Sequence, residues 1–310
     1  MTGAVHELVR PARLEAGARV AVVAPSGPVP KDKLDAGCEI LRSWGLDVLP
    51  APHLNDRHDR FCYLAGTDAH RAADLEAAWL DPSIDAIVCA RGGFGAHRML
   101  DLLDWDAMCR AEPKVFCGFS DITALHEAFA TRLGVATLHS PMVATRSFVD
   151  DERTAAMFRR MLFEPESELV LTTAAAETLV AGVARGVTLG GCVSLLAADI
   201  GTPTGRPSAR GGILLLEDLE EELYRLDRIL TQLLRSGWLD GVSGIALGSW
   251  RDCEDGVREL VSDRLGGLGV PVVWELGFGH CPDSLTVPLG VSATLDADAR
   301  TLTLDRPALR

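Results

Sequence analysis

The sequence has no cluster of lysine and arginine of the kind that follows a phosphate backbone, and its net charge is −14. A nucleic-acid partner is therefore not expected. It also lacks a C-x-x-C pair. The eight cysteines, at positions 38, 62, 89, 109, 117, 192, 253 and 281, show no metal-ligand spacing. Buried free thiols in a reducing compartment are the reading this favours, with no metal site. No uninterrupted apolar stretch approaches the roughly 20 residues of a membrane span, so no membrane partner is expected. The segment Met1 to Arg13 mixes charges and has none of the apolar core, about 7–15 residues long, that marks a signal peptide. The expected location is the cytoplasm. No internal repeat is evident, and neither G-x-G-x-x-G nor the P-loop pattern occurs where a nucleotide site would need it.

What is present reads as globular: 310 residues, 47% hydrophobic and 24% charged, enough for one large or two medium domains. The first half alternates short apolar runs with helical spacing. Arg19 to Ala24, Leu46 to Leu49, Ile84 to Ala90, Lys114 to Cys117 and Val135 to Leu138 read as strands. Lys31 to Trp44, Arg71 to Leu80, Ala96 to Leu103 and Ile122 to Arg132 read as helices. This alternation predicts an α/β fold with a parallel sheet, its functional loops at the carboxyl ends of the strands. After a linker at Thr172 to Ala176 the pattern changes. Gly186 to Leu189, Ile213 to Leu216, Gly244 to Gly248, Val270 to Trp274, Ser292 to Asp296 and Thr301 to Leu304 read as strands, and Leu219, Leu223, Leu226, Leu230 and Leu233 fall on one helical face. The expectation is an N-terminal α/β domain over residues 1–170 and an α+β domain rich in short strands over residues 171–310.

Three places put a polar group at the end of an apolar run. In Val115-Phe116-Cys117-Gly118-Phe119-Ser120-Asp121 the layout is strand, sharp turn, helix. That is a nucleophile elbow, although Ile122 stands where G-x-S-x-G has its second glycine. Ser120 as a helix N-cap remains an open alternative. Ile213 to Leu216 runs into Glu217-Asp218, where a carboxylate also suits the start of a helix. In Phe278-Gly279-His280 the glycines at 277 and 279 imply a tight loop presenting an imidazole, with His139 as its competitor. A hydroxyl nucleophile needs a base near neutral pH, and a carboxylate on the other ring nitrogen fixes the base's tautomer. Ser120, Glu217 and His280 together supply all three.

With these residues the chain resembles the LD-carboxypeptidase family of serine peptidases, the muramoyltetrapeptide carboxypeptidases. The resemblance runs from about Arg19 to Leu304. It is carried by Val20 to Gly27, Arg91-Gly92-Gly93-Phe94-Gly95, Gly118-Phe119-Ser120-Asp121, Gly190-Gly191, Leu216-Glu217-Asp218 and Phe278-Gly279-His280. It implies a Ser120–Glu217–His280 triad across two domains and an oxyanion hole from backbone N–H groups at Asp121 and in the Gly92-Gly93 turn. It further implies release of terminal D-alanine from murein tetrapeptides, a homodimer, and neither metal nor organic cofactor. One departure is Cys192, where similar proteins carry Asn; if that side chain meets substrate, specificity differs. Two other functions fit the same residues. One is an amidase acting on peptidyl-nucleotide antibiotics for self-immunity, and the other is a non-catalytic binding protein for cell-wall peptides. Within the Leu216 to Glu220 segment, Glu217 is expected nearest the sheet edge, Asp218 to cap the helix that follows, and Glu220 to face solvent along that helix.

Overall fold

The apolar runs at the centre of the first half are buried almost throughout, as strands covered on both faces must be, and only the edge run at 47–50 is largely exposed. In the computed structural model, which describes residues 3–310, they form β1 (Arg19–Val23), β2 (Asp47–Pro50), β3 (Ala86–Cys89), β4 (Val115–Gly118) and β5 (Thr137–His139). The second half supplies β6 (Val170–Leu171), β7 (Glu177–Val180), β8 (Val183–Cys192), β9 (Gly212–Leu219), β10 (Gly244–Arg251), β11 (Val272–Trp274), β12 (Val287–Leu289), β13 (Ser292–Asp296) and β14 (Thr301–Leu304). Two sheets result, one of six strands in the order β12-β5-β4-β3-β1-β2 and one of eight in the order β6-β14-β13-β8-β9-β10-β11-β7. The fold is α/β, as the alternation predicts.

In the first sheet β1 to β5 are parallel. Strand order reverses between β1 and β3, and such a reversal opens a crevice at the carboxyl ends of the two strands. The loops that follow β1 and β3 meet there: Gly27 N–H donates to Gly92 O at 3.0 Å. Strand β12 closes the far edge of this sheet by pairing antiparallel with β5, Val287 opposite His139. A segment from the second half of the chain therefore completes the sheet of the first half. In the second sheet β8, β9, β10 and β11 are parallel and place their carboxyl ends toward the first sheet. Cys192 N–H, at the end of β8, donates to Thr123 Oγ1 at 3.0 Å.

Several element boundaries differ from those read in sequence. The expected helix from Ile122 to Arg132 is a 3₁₀ turn (Ser120–Ile122), an α-helix (Thr123–Ala128) and a π turn (Phe129–Leu133). Strand β9 continues through Glu217 and Asp218 to Leu219, because both carboxylates find partners inside the fold; the helix after it starts only at Leu223. Leu219 is thus a strand residue, while Leu226, Leu230 and Leu233 form the buried face of the helix.

Candidate active site

Ser120 follows β4 with φ of 64°, a left-handed conformation that a side-chain-bearing residue adopts only at a cost. The strain turns the hydroxyl away from the sheet and onto the wall of an open cleft of about 620 Å³. Gly92 packs over it so closely that a Cβ there would lie 3.2 Å from Ser120 Oγ and 3.4 Å from Asp121 N. The glycine turn and the first peptide of the elbow therefore face one another across the serine, the arrangement in which backbone N–H groups can meet a developing oxyanion. Asp121 fastens the two pieces together. Its Oδ2 accepts Ser26 Oγ–H at 2.6 Å and Ala96 N–H at 2.9 Å, and burial pushes its carboxyl up despite those bonds.

From the second sheet comes Glu217, fully buried on β9. His280 lies on the loop after β11, and its Nδ1–H donates to Glu217 Oε2 at 2.6 Å. A carboxylate only accepts, so this bond fixes the proton on Nδ1 and leaves Nε2 as the basic nitrogen. The close approach depends on Gly279, with φ of 94°: a Cβ at that position would meet Glu217 Oε2 at 2.5 Å. Burial alone would raise the Glu217 carboxyl, but the His280 and His139 imidazoles outweigh it and hold the group down at about 2. Ser120 and His280 line the same cleft. Among the described residues the two side chains share no hydrogen bond, as is common before substrate arrives.

The structure separates the sequence candidates. Two other serines that follow strands of the first sheet, Ser26 and Ser140, are buried and turned to other partners, Asp121 and Pro141 O. His139 is buried behind Glu217 and does not line the cleft. Asp218 does not cap the helix that follows β9. It is buried, accepting Ser194 N–H at 2.9 Å and Leu219 N–H at 2.9 Å, and so serves the helix after β8 instead. Glu220 is a cleft residue rather than part of a helix face, with φ of 53°. Cys192 points its Sγ at Asp218 Oδ1, 3.2 Å away, so the departure from Asn alters the floor between two strands rather than the cleft wall.

Sequence reasoning did not single out Arg146 and Arg251, which line the cleft beside Arg91. Arg91 donates to Pro28 O and Arg251 to Asp252, whereas the Arg146 guanidinium has no hydrogen-bond partner among the described residues. No motif marks either position, and Arg251 lies beyond the apolar run that revealed β10.

Metal-ligand spacing was likewise not visible, yet the fold does gather His53, Asp56 and His70, with one ligating atom of each within 4.8 Å of the others. The imidazoles stack at 4.0 Å with each Nδ1 already on a carboxylate, Asp74 or Asp56. Stacked rings aim their nitrogens alongside one another rather than at one point, and none of the three residues lines the cleft.

A hydroxyl on a strained elbow, a carboxylate-held imidazole and facing backbone donors are the components of acyl-transfer chemistry. The chain belongs to the LD-carboxypeptidase family: residues 20–140 match its N-terminal domain and residues 185–295 its C-terminal domain. It is thereby placed among peptidases. The Streptomyces coelicolor protein SCO6489 is 66% identical over 98% of this chain and 99% of its own length. The murein tetrapeptide carboxypeptidase of Pseudomonas aeruginosa is 32% identical over 90% of this chain and 94% of its own. Among solved structures, the muramoyltetrapeptide carboxypeptidase from Oxalobacter formigenes superposes with a TM-score of 0.79 at 28% identity, covering 94% of this chain and all of that one. The Escherichia coli microcin C7 self-immunity protein is also similar, at 25% identity over 91% of this chain and 90% of its own. Among the described residues no helix is long and apolar enough to cross a membrane.

Proposed function

We propose that this protein is a serine-type LD-carboxypeptidase that removes the terminal D-alanine from murein tetrapeptides. The observation that carries the reading is the 2.6 Å bond from His280 Nδ1 to fully buried Glu217, on the wall of the cleft that also displays Ser120. Ser120 Oγ attacks the carbonyl carbon of the L-centre while His280 Nε2 takes its proton, and Glu217 stabilises the imidazolium. The oxyanion meets the backbone N–H groups of Asp121 and the Gly92-Gly93 turn. His280 then gives its proton to the departing amine of D-alanine, leaving an acyl-serine. Water attacks that ester, His280 accepts the water's proton, and Ser120 is regenerated.

Three arginines on the cleft suit a substrate with free carboxylates. Peptidyl-nucleotide hydrolysis for self-immunity is the second reading, favoured by the likeness to the microcin C7 self-immunity protein. Peptidoglycan recycling in the cytoplasm, by a homodimer, is the setting we assign to this activity.

Incubation with a murein tetrapeptide, followed by mass analysis, should show loss of one alanine. A peptidyl-nucleotide cleaved while the tetrapeptide stays intact would select the second reading. Failure of a fluorophosphonate to label Ser120 would favour a binding protein.

A further inference from the structure

The reaction proposed above uses one oxygen of Glu217. The other, Oε1, is buried and has no hydrogen-bond partner among the described residues. Facing it at 3.9 Å is His139 Nε2, also buried and also without a partner. Leaving a buried carboxylate oxygen and a buried ring nitrogen unpaired forfeits the solvation of both groups. A shift of about 1 Å brings the two within hydrogen-bond distance and removes both penalties.

We propose that His139 is a positioning residue for the catalytic carboxylate: neutral and protonated at Nε2, it donates to Glu217 Oε1 while His280 donates to Oε2. This rests on the triad reading and adds a fourth member behind it. One carboxylate is gripped by two imidazoles, of which only His280 reaches the cleft.

The surroundings of His139 suit this task. It ends β5, where the Phe119 and Phe278 rings meet it edge-on at 5.6 Å each. They block rotation of the ring away from Glu217. Strand β12 sets Val287 against it, with no titratable group. On β4, Cys117 is kept a thiol by burial. On the helix behind, His126 lies 6.5 Å away and is held neutral by burial, its pKa pushed down to about 3, while its Nε2–H donates to Gly118 O. Glu217 is the carboxylate that faces it. Neutral neighbours leave His139 with one anion to serve.

With Oε1 occupied, the carboxylate cannot turn about its own axis, and Oε2 stays aimed at His280. Without that donor, more of the negative charge is left to attract a proton on His280. Activity needs His280 unprotonated, so the acid limb of kcat/KM must move to higher pH.

The test combines pH profiles of kcat/KM on a murein tetrapeptide for His139→Leu and His139→Gln with nitrogen NMR of the wild-type histidines. In His139→Leu the acid limb should rise by about one pH unit and kcat fall roughly tenfold, with KM little changed. His139→Gln keeps an N–H donor and should restore the wild-type limb. The wild-type spectrum should show His139 neutral with its proton on Nε2. A His139→Leu profile that superposes on wild type overturns the proposal, as does a wild-type His139 protonated only at Nδ1. The NMR arm decides the matter if His139→Leu does not fold. It is also independent of turnover, so an active Ser120→Ala enzyme would defeat the triad while leaving this inference to stand or fall separately.

Discussion

Replacing Glu217 by glutamine changes one oxygen for an NH₂ group and removes one buried charge. The site is fully buried and the bond to His280 is 2.6 Å, so the loss is that of a charge-assisted hydrogen bond. Such bonds contribute about 1.5–3 kcal/mol, or roughly 10–150-fold in rate if the interaction grows as the imidazolium forms. The tautomer adds to this. A glutamine that turns its NH₂ toward His280 forces Nδ1 to accept, which places the ring proton on Nε2 and abolishes its basicity. A glutamine that turns its NH₂ the other way sets that group against His139 Nε2, 3.9 Å from Oε1 in the wild type. Either orientation is penalised. In the chymotrypsin-type triad the equivalent carboxylate-to-amide change costs about 10⁴, and we expect at least roughly 10² here. The assay is kcat/KM on murein tetrapeptide, with circular dichroism and a thermal melt to establish that the variant is folded. A folded Glu217→Gln enzyme within threefold of wild type would refute the reasoning.

Other outcomes follow from the same geometry. Ser120→Ala should lower turnover by roughly 10⁴ or more with the fold retained, and residual labelling by a fluorophosphonate would point to another nucleophile. Asp218→Asn loses charge-assisted bonds to Ser194 N–H and Leu219 N–H, so it should cost about 1 kcal/mol, read as a lower Tm. Its kcat should stay within a few-fold of wild type; abolished activity in a folded protein would mean that Asp218, not Glu217, orients the base. Glu217 is held below its ordinary value of 4.5, at about 2, so it stabilises the fold above pH 4.5. That contribution should disappear as pH falls from 4.5 toward 2, and a denaturation midpoint less acid-sensitive in Glu217→Gln than in wild type would show it.

The sharp turn after β4 was legible because Gly118 ends an apolar run two residues before Ser120, where the chain adopts a left-handed conformation. His280 was legible through Gly277 and Gly279, whose positive φ values let the loop bend onto Glu217. Glu217 was found for a reason only partly right. Sequence places it after the strand, whereas β9 carries it inside the sheet, since an imidazole makes a buried carboxylate tolerable there. The same misplacement hid what Asp218 serves. Strand β12 left no trace, because Val287-Pro288-Leu289 is short, contains a proline and pairs with a strand far back in the chain. Proline is tolerated at the rim of a sheet, and that is where it lies. Arg146 and Arg251 were invisible for a different reason: a cation at the first residue of a short helix or the last residue of a strand has no periodicity to betray it.

Strand β12 also ties the first sheet to a late part of the chain. Until residue 289 has been made, β5 presents an open row of backbone donors and acceptors at the edge of the first sheet. A chain truncated near residue 170 would leave that edge exposed, a strand ready to pair with its neighbours. The segment that seals this edge begins only seven residues after His280. The strand that closes the first sheet and the loop that carries His280 are thus neighbours in the chain, so one short segment serves both the sheet edge and the cleft wall.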